Sequence, residues 1–247
     1  MIALTIAGYD PSGGAGILSD IKTMSALGVY GTGVVTALTC QNPKEFFSLK
    51  SVDVDYISEQ IDSIFSEYTI EYCKTGMLYS KEIIKLISEK IEDYNLKTIV
   101  DPVMVASSGG NLSSSETAKA LNKYLLPKSI LVTPNLSEAE KLSNLKINSK
   151  ENLIKSAEKI GKYTNVIITG GHNNGDNVFY NGELNIIHQD LIKTDNLHGT
   201  GCSFSAAVTS NMTKNYSLIQ SVENSLKFVF ESVKNGHYGT LNQFFNK

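Results

Sequence analysis

The sequence predicts an α/β fold with a mainly parallel central sheet covered by helices on both faces. Three observations carry that expectation. Short runs rich in Val and Ile alternate with segments of helical periodicity along all 247 residues, the pattern of strand–helix–strand units. The strand runs are apolar at consecutive positions, as in strands buried on both faces, rather than apolar and polar by turns. No repeat, low-complexity tract or interdomain linker interrupts the series, so residues 1–247 are read as a single domain.

The elements follow in order. Residues 2–7 form a strand, and residues 15–27 a helix that Gly28 is placed to stop. Residues 31–39 are a second strand, after which Ile57, Ile61, Ile64 and Phe65 share one helical face. Residues 72–75 are a short strand, followed by a helix carrying Ile83, Ile84, Ile87 and Ile91. Residues 98–101 are a strand cut by Pro102, and residues 130–133 another cut by Pro134. Residues 137–142 and 150–162 are helical, and residues 166–169 are again a buried strand. Residues 176–180 and 184–188, around Asn181-Gly182, read as a hairpin. Two helices close the chain at 201–213 and 217–235, the second with Leu218, Val222, Leu226, Val229 and Val233 on one stripe. In such sheets ligands bind beyond the carboxyl ends of the strands, so the loops after strands are where chemistry is expected.

Composition narrows that chemistry. All 22 basic side chains are lysine, and there is no arginine. Codon bias toward Ile, Asn and Lys is the simplest reading, but the omission removes arginine fingers, bidentate arginine clamps on phosphate and arginine contacts to guanine. A formal charge of −3 argues against a nucleic-acid partner. No apolar run approaches the ~20 residues of a membrane span. The start of the chain lacks the basic flank and cleavage site of a signal peptide. Cys40, Cys73 and Cys202 are odd in number, widely spaced and without a CxxC pair, which suggests neither disulfides nor zinc. A cytoplasmic protein acting on a small molecule is expected.

The first loop, Gly8-Tyr9-Asp10-Pro11-Ser12-Gly13-Gly14-Ala15-Gly16, runs from strand into helix. Its glycines permit close backbone approach to a ligand, yet it matches neither GxGxxG nor GxxxxGK[ST]. His198-Gly199-Thr200-Gly201-Cys202 precedes a helical run of small residues. Two glycines and a threonine at a helix start make a pocket of N–H donors with about half a positive charge, suited to a transferring phosphoryl group. Cys202 beside it is either a base whose thiol pKa the dipole lowers or a small core residue. Asn135 and Glu138, three residues apart after a strand, are either oxygen ligands for Mg²⁺ or a helix N-cap with an acidic first turn. Asp101, at a strand end before Pro102, is a second anchor for metal. Thr169-Gly170-Gly171-His172 is a further glycine turn at a strand end.

These segments stand in a fixed order together with Asp20-Ile21-Lys22-Thr23, Ala26-Leu27-Gly28-Val29-Tyr30-Gly31, Thr36-Ala37-Leu38-Thr39, Gln41-Asn42, Lys74-Thr75-Gly76-Met77-Leu78, Asp101-Pro102-Val103-Met104-Val105 and Thr133-Pro134-Asn135-Leu136-Ser137-Glu138-Ala139. Across nearly the whole chain this series resembles the hydroxymethylpyrimidine/phosphomethylpyrimidine kinase family of thiamine biosynthesis, within the ribokinase-like superfamily. The resemblance implies a three-layer α/β/α sandwich. It also implies ATP- and Mg²⁺-dependent transfer to 4-amino-5-hydroxymethyl-2-methylpyrimidine and then to its monophosphate, in a homodimeric enzyme. Residue by residue, it implies that Gly199, Thr200 and Gly201 form the anion hole and Cys202 takes the proton of the substrate hydroxyl. Gly8, Ala15, Asp20, Gln41, Met77 and Val103 would surround the pyrimidine. Asn135, Thr169, Gly171, Gly199 and Gly201 would contact ATP, while Glu138 and Asp101 organise Mg²⁺.

Gln41 suits an aminopyrimidine edge because its amide both donates and accepts. Related enzymes of the branch phosphorylate pyridoxal, and a pyridoxal/pyridoxine kinase is the alternative within the class. A weakly active vitamin-binding sensor on the same fold is the alternative outside it. Two departures motivate that last reading, because the family usually has lysine where this chain has Ser107 and Thr169. Losing a well-placed charge can cost on the order of a hundredfold in rate. Tyr9, in place of a small residue, is a third departure.

Overall fold

In the computed structural model, which describes residues 1–104, 115–170 and 175–246, the strands are β1 (Ile2–Tyr9), β2 (Tyr30–Gln41), β3 (Phe46–Ser51), β4 (Tyr72–Thr75), β5 (Lys97–Val100), β6 (Leu131–Val132), β7 (Asn165–Ile168), β8 (Asp176–Tyr180) and β9 (Leu184–His188). They form one sheet in the order β3-β2-β1-β4-β5-β6-β7-β8-β9. The run from β2 to β7 is parallel, with β1 hydrogen-bonded to both β2 and β4. β3, β8 and β9 are antiparallel additions at the two edges.

The helices are α1 (Gly16–Ala26), α2 (Val54–Phe65), α3 (Lys81–Asp93), α4 (Ser115–Ala120), α5 (Leu136–Ser143), α6 (Lys150–Ile160), α7 (Thr200–Thr213) and α8 (Leu218–Lys234). Side chains alternate across the sheet with the period of two that a strand imposes. Leu4, Ile6, Cys73, Val100 and Ile168 pack on one face against Ile57 and Ile61 of α2, Ile84 and Ile87 of α3, and Ala139, Leu153 and Ala157 of α5 and α6. Ile99, Leu131, Ile167 and Phe179 pack on the other against Phe204 and Val208 of α7 and Val222 and Leu226 of α8. Ala3 meets Met24 of α1 and Ala206 of α7 on that same side. The result is the three-layer α/β/α sandwich with a mainly parallel sheet.

Sequence periodicity located most of these elements to within a residue or two. It missed β3, whose six residues are partly or fully exposed and carry no run of apolar side chains. It also missed α4 and the wider and tighter turns that continue it over Leu121–Leu125 and Leu126–Lys128. There Pro127 and an irregular pitch hide the period, although Leu121, Leu125 and Leu126 are buried. The parallel strands all end toward the same edge, which gathers Gly8, Gln41, Met77, Asp101, Asn135 and Thr169 on loops at one end of the sheet.

Candidate active site

Two glycine turns meet at that edge. Gly16 has φ +57°, and a Cβ there would lie 2.3 Å from the carbonyl oxygen of Gly8. Gly199 has φ +88°, and its Cβ would lie 1.8 Å from the carbonyl oxygen of Gly14. Both positions admit only glycine, so the first loop and the turn before α7 touch backbone to backbone. Asp10 organises the loop from within. Its Oδ1 accepts from Ser12 N–H (2.9 Å), and its Oδ2 accepts from Ala15 N–H (2.9 Å), the Ser12 hydroxyl (3.0 Å) and His198 Nε2 (2.7 Å). Burial opposes ionisation of Asp10, but the bonds from His198 and Ser12 outweigh it and hold the carboxyl below its ordinary range.

α7 begins at Thr200 with Gly199 as its N-cap. Thr200 N–H is used by Leu197 O (3.2 Å), and Ser203 N–H is the first to bond back along the helix, to Gly199 O (2.9 Å). The N–H groups of Gly201 and Cys202 therefore project from the helix end, where the macrodipole adds partial positive charge. Gly201 is exposed and lies beside Asp101, whose Oδ2 would be 4.0 Å from a Cβ on it. The three residues expected at the anion hole and Cys202, the expected base, all stand at this helix start.

Beneath them lies a buried charge cluster. Lys74 is wholly buried in the central strand β4, on the face toward α1 and α7. Its ammonium donates to Asp20 Oδ1 (2.8 Å) and Oδ2 (2.9 Å) and stands 3.8 Å from Asp101 Oδ2. Thr5 Oγ1 donates to Asp20 Oδ2 (2.6 Å), and Ser205 Oγ to Asp101 Oδ2 (3.2 Å). Burial alone would strip the proton from Lys74. The charges of Asp20, Cys202 and Asp101 overcome it, so the ammonium is held above the ordinary lysine range.

Cys202 lies against Gly16 N–H and the Asp101 carboxylate. Its thiol pKa is the reverse of the sequence expectation. Burial pushes it up to about 12, with Asp101 and Asp20 adding to the rise and Lys74 and Gly16 N–H opposing it. Removal from water outweighs the helix dipole here, because a thiolate loses its hydration while two carboxylates stand nearby.

Asn135 and Glu138 form a complete capping box at the start of α5. Asn135 Oδ1 accepts from Glu138 N–H (3.0 Å), and Glu138 Oε2 accepts from Asn135 N–H (3.0 Å). The N-cap reading is thus realised, but it does not exhaust the pair. Glu138 Oε1 accepts from Met104 N–H (3.4 Å), tying α5 to the loop after β5. Burial, and then the charge of Asp101, push the Glu138 carboxyl up to about 8. Asp101 is likewise pushed up, by burial and by Asp20. Among the described residues no group of three or more His, Cys, Asp or Glu side chains could hold a metal alone. Two adjacent, buried, mutually destabilising carboxylates nevertheless fit Mg²⁺, which takes one or two carboxylates and completes its shell with water and phosphate oxygens.

Of the residues expected around the pyrimidine, Met77 and Val103 share a small apolar cluster near the first loop. Met77 packs with Ala37, Val103, Phe46 and Leu49. Gly8 leaves room for it, since a Cβ at Gly8 would sit 2.4 Å from Met77 Cε. Gln41 Oε1 is buried with no hydrogen-bond partner among the described residues. Ala15 is buried at the loop's end. Asp20 differs, being wholly buried with both oxygens committed to Lys74 and Thr5, so it reaches the site through Lys74. Thr169 is half-buried at the end of β7, with its N–H on Pro134 O (3.0 Å), and Gly170 N–H bonds Asn177 Oδ1 (3.0 Å). Gly171 and Ser107 lie outside the described residues.

Three residues that sequence reasoning gave no role, Lys74, Asp10 and His198, prove central. The legible signal for Lys74 was a lysine inside a short strand otherwise buried at every position.

N–H donors at a helix end and buried carboxylates that suit a cation, together on one sheet edge of this fold, are those of a small-molecule kinase of the ribokinase-like class. More narrowly, the chain belongs to the phosphomethylpyrimidine kinase family, whose model matches residues 10–243. The hydroxymethylpyrimidine/phosphomethylpyrimidine kinase of Bacillus subtilis (strain 168) is 39% identical, over 98% of this chain and 94% of the relative. Among solved structures, a pyridoxal kinase from Staphylococcus aureus in complex with AMP-PCP superposes with a TM-score of 0.91 at 33% identity, covering 100% of this chain and 94% of that one. A phosphomethylpyrimidine kinase from Clostridium difficile 630 superposes with a TM-score of 0.82 at 34% identity, covering 94% and 99%. No helix among the described residues is long and apolar enough to cross a membrane.

Proposed function

We propose that this kinase transfers the γ-phosphoryl group of ATP to the hydroxymethyl group of 4-amino-5-hydroxymethyl-2-methylpyrimidine and then to the resulting monophosphate, in thiamine biosynthesis. The observation that carries the pyrimidine is Gln41, whose buried amide oxygen has no partner among the described residues and which pairs on the sheet with Phe46 of the apolar Ala37–Met77 cluster. An exocyclic amino group supplies that donor, and Met77 and Val103 cover the ring faces. The relatives named as hydroxymethylpyrimidine/phosphomethylpyrimidine kinases support the same substrate.

In this reading the N–H groups of Gly201 and Cys202 bind the γ-phosphate, with Gly199 and Thr200 shaping the turn. Asn135, Thr169 and Gly171 border the nucleotide. Asp101 and Glu138 would hold Mg²⁺, which supplies charge neutralisation to the phosphates when bound. The alcohol oxygen forms its bond to γ-phosphorus as the bond to the β-phosphate oxygen breaks, and the hydroxyl proton passes to the minor thiolate form of Cys202, which becomes the thiol. Lys74 and Gly16 N–H stabilise that thiolate. The burial that makes the thiolate rare also makes it a strong base once formed. Backbone donors tolerate an alcohol or a phosphate as nucleophile, so one site serves both steps. With no arginine in the chain, Lys74 is the buried cation that stands under the phosphate site. Residues 1–247 act as one cytoplasmic kinase domain, assembled as a homodimer.

A pyridoxal kinase is the second reading, favoured by the fit to the Staphylococcus aureus enzyme. Steady-state kinetics with γ-labelled ATP and each vitamin decides between them. A higher kcat/KM for the pyrimidine, labelled through to the diphosphate, is expected. A clear preference for pyridoxal overturns the substrate, and binding without any labelled product overturns transfer in favour of a sensor. Cys202→Ala is expected to lower kcat by about a hundredfold or more while the protein stays folded.

A further inference from the structure

The two glycine turns are not held together by backbone contact alone. His198 Nε2 donates to Asp10 Oδ2 at 2.7 Å across 188 residues of sequence, with side chains only 2% and 1% exposed. The same Asp10 oxygen receives Ala15 N–H, which places the loop's end at the start of α1. On the other side, His198 leads directly into Gly199 and the helix end that presents Gly201 and Cys202. The ring also packs over Gly14, where a Cβ would lie 2.5 Å from His198 Cδ2.

The other ring nitrogen, Nδ1, is buried with no partner among the described residues. A buried unsatisfied nitrogen is destabilising, and an apolar ring would fill the same space without that penalty. What the imidazole adds over a hydrophobic filler is one directed bond to Asp10. That bond joins the loop bordering the pyrimidine pocket to the turn bordering the phosphate.

We propose that His198 is a positioning residue: through Asp10 it fixes the register between the loop that carries the acceptor alcohol and the turn that carries the γ-phosphoryl group. The inference rests on the assignment of those two subsites made above. Its chemical consequence concerns the competition between nucleophiles. In register, the substrate hydroxyl attacks γ-phosphorus. Out of register, water takes its place, and ATP and water give ADP and inorganic phosphate with no phosphorylated pyrimidine.

The test measures ADP and phosphorylated product together, with kcat, KM and thermal unfolding, for wild type, His198→Asn, His198→Gln and Asp10→Asn. The acceptor is whichever vitamin the wild type phosphorylates faster, so a wrong substrate assignment shows in the wild type alone and leaves the variant ratios readable. Glutamine can place an N–H where Nε2 lies, and asparagine cannot reach. His198→Asn and Asp10→Asn are each expected to lower kcat by about a hundredfold, the scale of an ångström's misplacement. The ADP-to-product ratio should rise from about one to several, and KM for ATP should move little, because the phosphate donors remain. The double variant should lose no more than Asp10→Asn alone, because His198 makes its side-chain hydrogen bond only to Asp10 among the described residues, whereas Asp10 also holds Ser12 and Ala15. His198→Gln should recover most of the rate and a ratio near one.

A folded His198→Asn with kcat within about threefold of wild type overturns the proposal, by the same scale. So does a slow variant whose ADP-to-product ratio stays at the wild-type value, or a His198→Gln that is folded and no better than His198→Asn. If His198→Asn does not fold, Asp10→Asn is read in its place by the same outcomes. Failure of all three single variants to fold also overturns it, since the pair would then be a brace for the fold.

Discussion

Asp20 and Glu138 are both carboxylates taken out of water on either side of Asp101, and the structure provides for them differently. Asp20 is shifted up by burial, but it has Lys74 across both oxygens and the Thr5 hydroxyl besides, so groups within the protein oppose that rise. Among the described residues Glu138 has two backbone N–H groups, a weaker pull from Lys141 and a second carboxylate for a neighbour, and it is pushed up to about 8. The first arrangement is finished without a ligand. In the proposed function a divalent cation would complete the second, in place of the proton that Glu138 otherwise keeps. Asp101 belongs to both, touching Lys74 on one side and feeling Glu138 on the other. The difference separates a carboxylate paired within the fold from one that the proposed function leaves open for a cation.

The largest effect should come from breaking the finished side. Lys74→Met leaves Asp20 buried and unpaired, which is expected to destabilise the protein by about 3–5 kcal/mol in urea unfolding. Adding Asp20→Asn should restore a large part of that loss. A Lys74→Met protein as stable as wild type would mean that Asp20 is already neutral and the contrast with Glu138 false.

A second effect should appear on the waiting side, in metal-free protein. The folded Glu138 keeps its proton up to about 8, against 4.5 for an ordinary glutamate. Between those values the native state binds a proton that the unfolded chain has released, so stability falls as pH rises through the window. The slope from this one group is at most about 1.4 kcal/mol per pH unit. Glu138→Gln should flatten the fall between pH 5 and 8, and it should also raise the Mg²⁺ concentration needed for half-maximal rate by about tenfold. An unchanged slope in the variant would assign the pH dependence elsewhere.

The smallest effect should come from Asn135→Ala, which removes one half of the capping box and leaves the charges alone. A loss of about 1 kcal/mol in unfolding is expected. An equal shift in the Mg²⁺ requirement would show that the cap and the cation site are one device.

Much of this was legible in the sequence, for reasons of scale. β4, the hairpin of β8 and β9, and the start of α7 declare themselves within a few residues, through buried runs, the Asn181-Gly182 turn and paired glycines. The helix end proposed as the anion hole was legible too, because a helix end needs only its own neighbours to present its N–H groups. The sequence could not reveal which distant groups share a low-dielectric space. Cys202 beside a helix N-terminus suggested an acidified thiol, and burial next to Asp101 and Asp20 reversed that. Asp20 looked like a ligand-facing residue until Lys74 covered it. The bond between Asp10 and His198 spans 188 positions and leaves no local trace. β3 was missed because an exposed edge strand lacks the apolar run that marks a buried one.

Residues 240–243 add one more tie between the two turns. Thr240 lies against Gly14 and bridges to His198, and Gln243 Nε2 bonds both Ser19 of α1 and Ser203 of α7 at 3.2 Å. A single amide thus braces two helices whose contacting residues lie 224 and 40 positions away in the sequence, so a change at Gln243 loosens α1 against α7 without touching either.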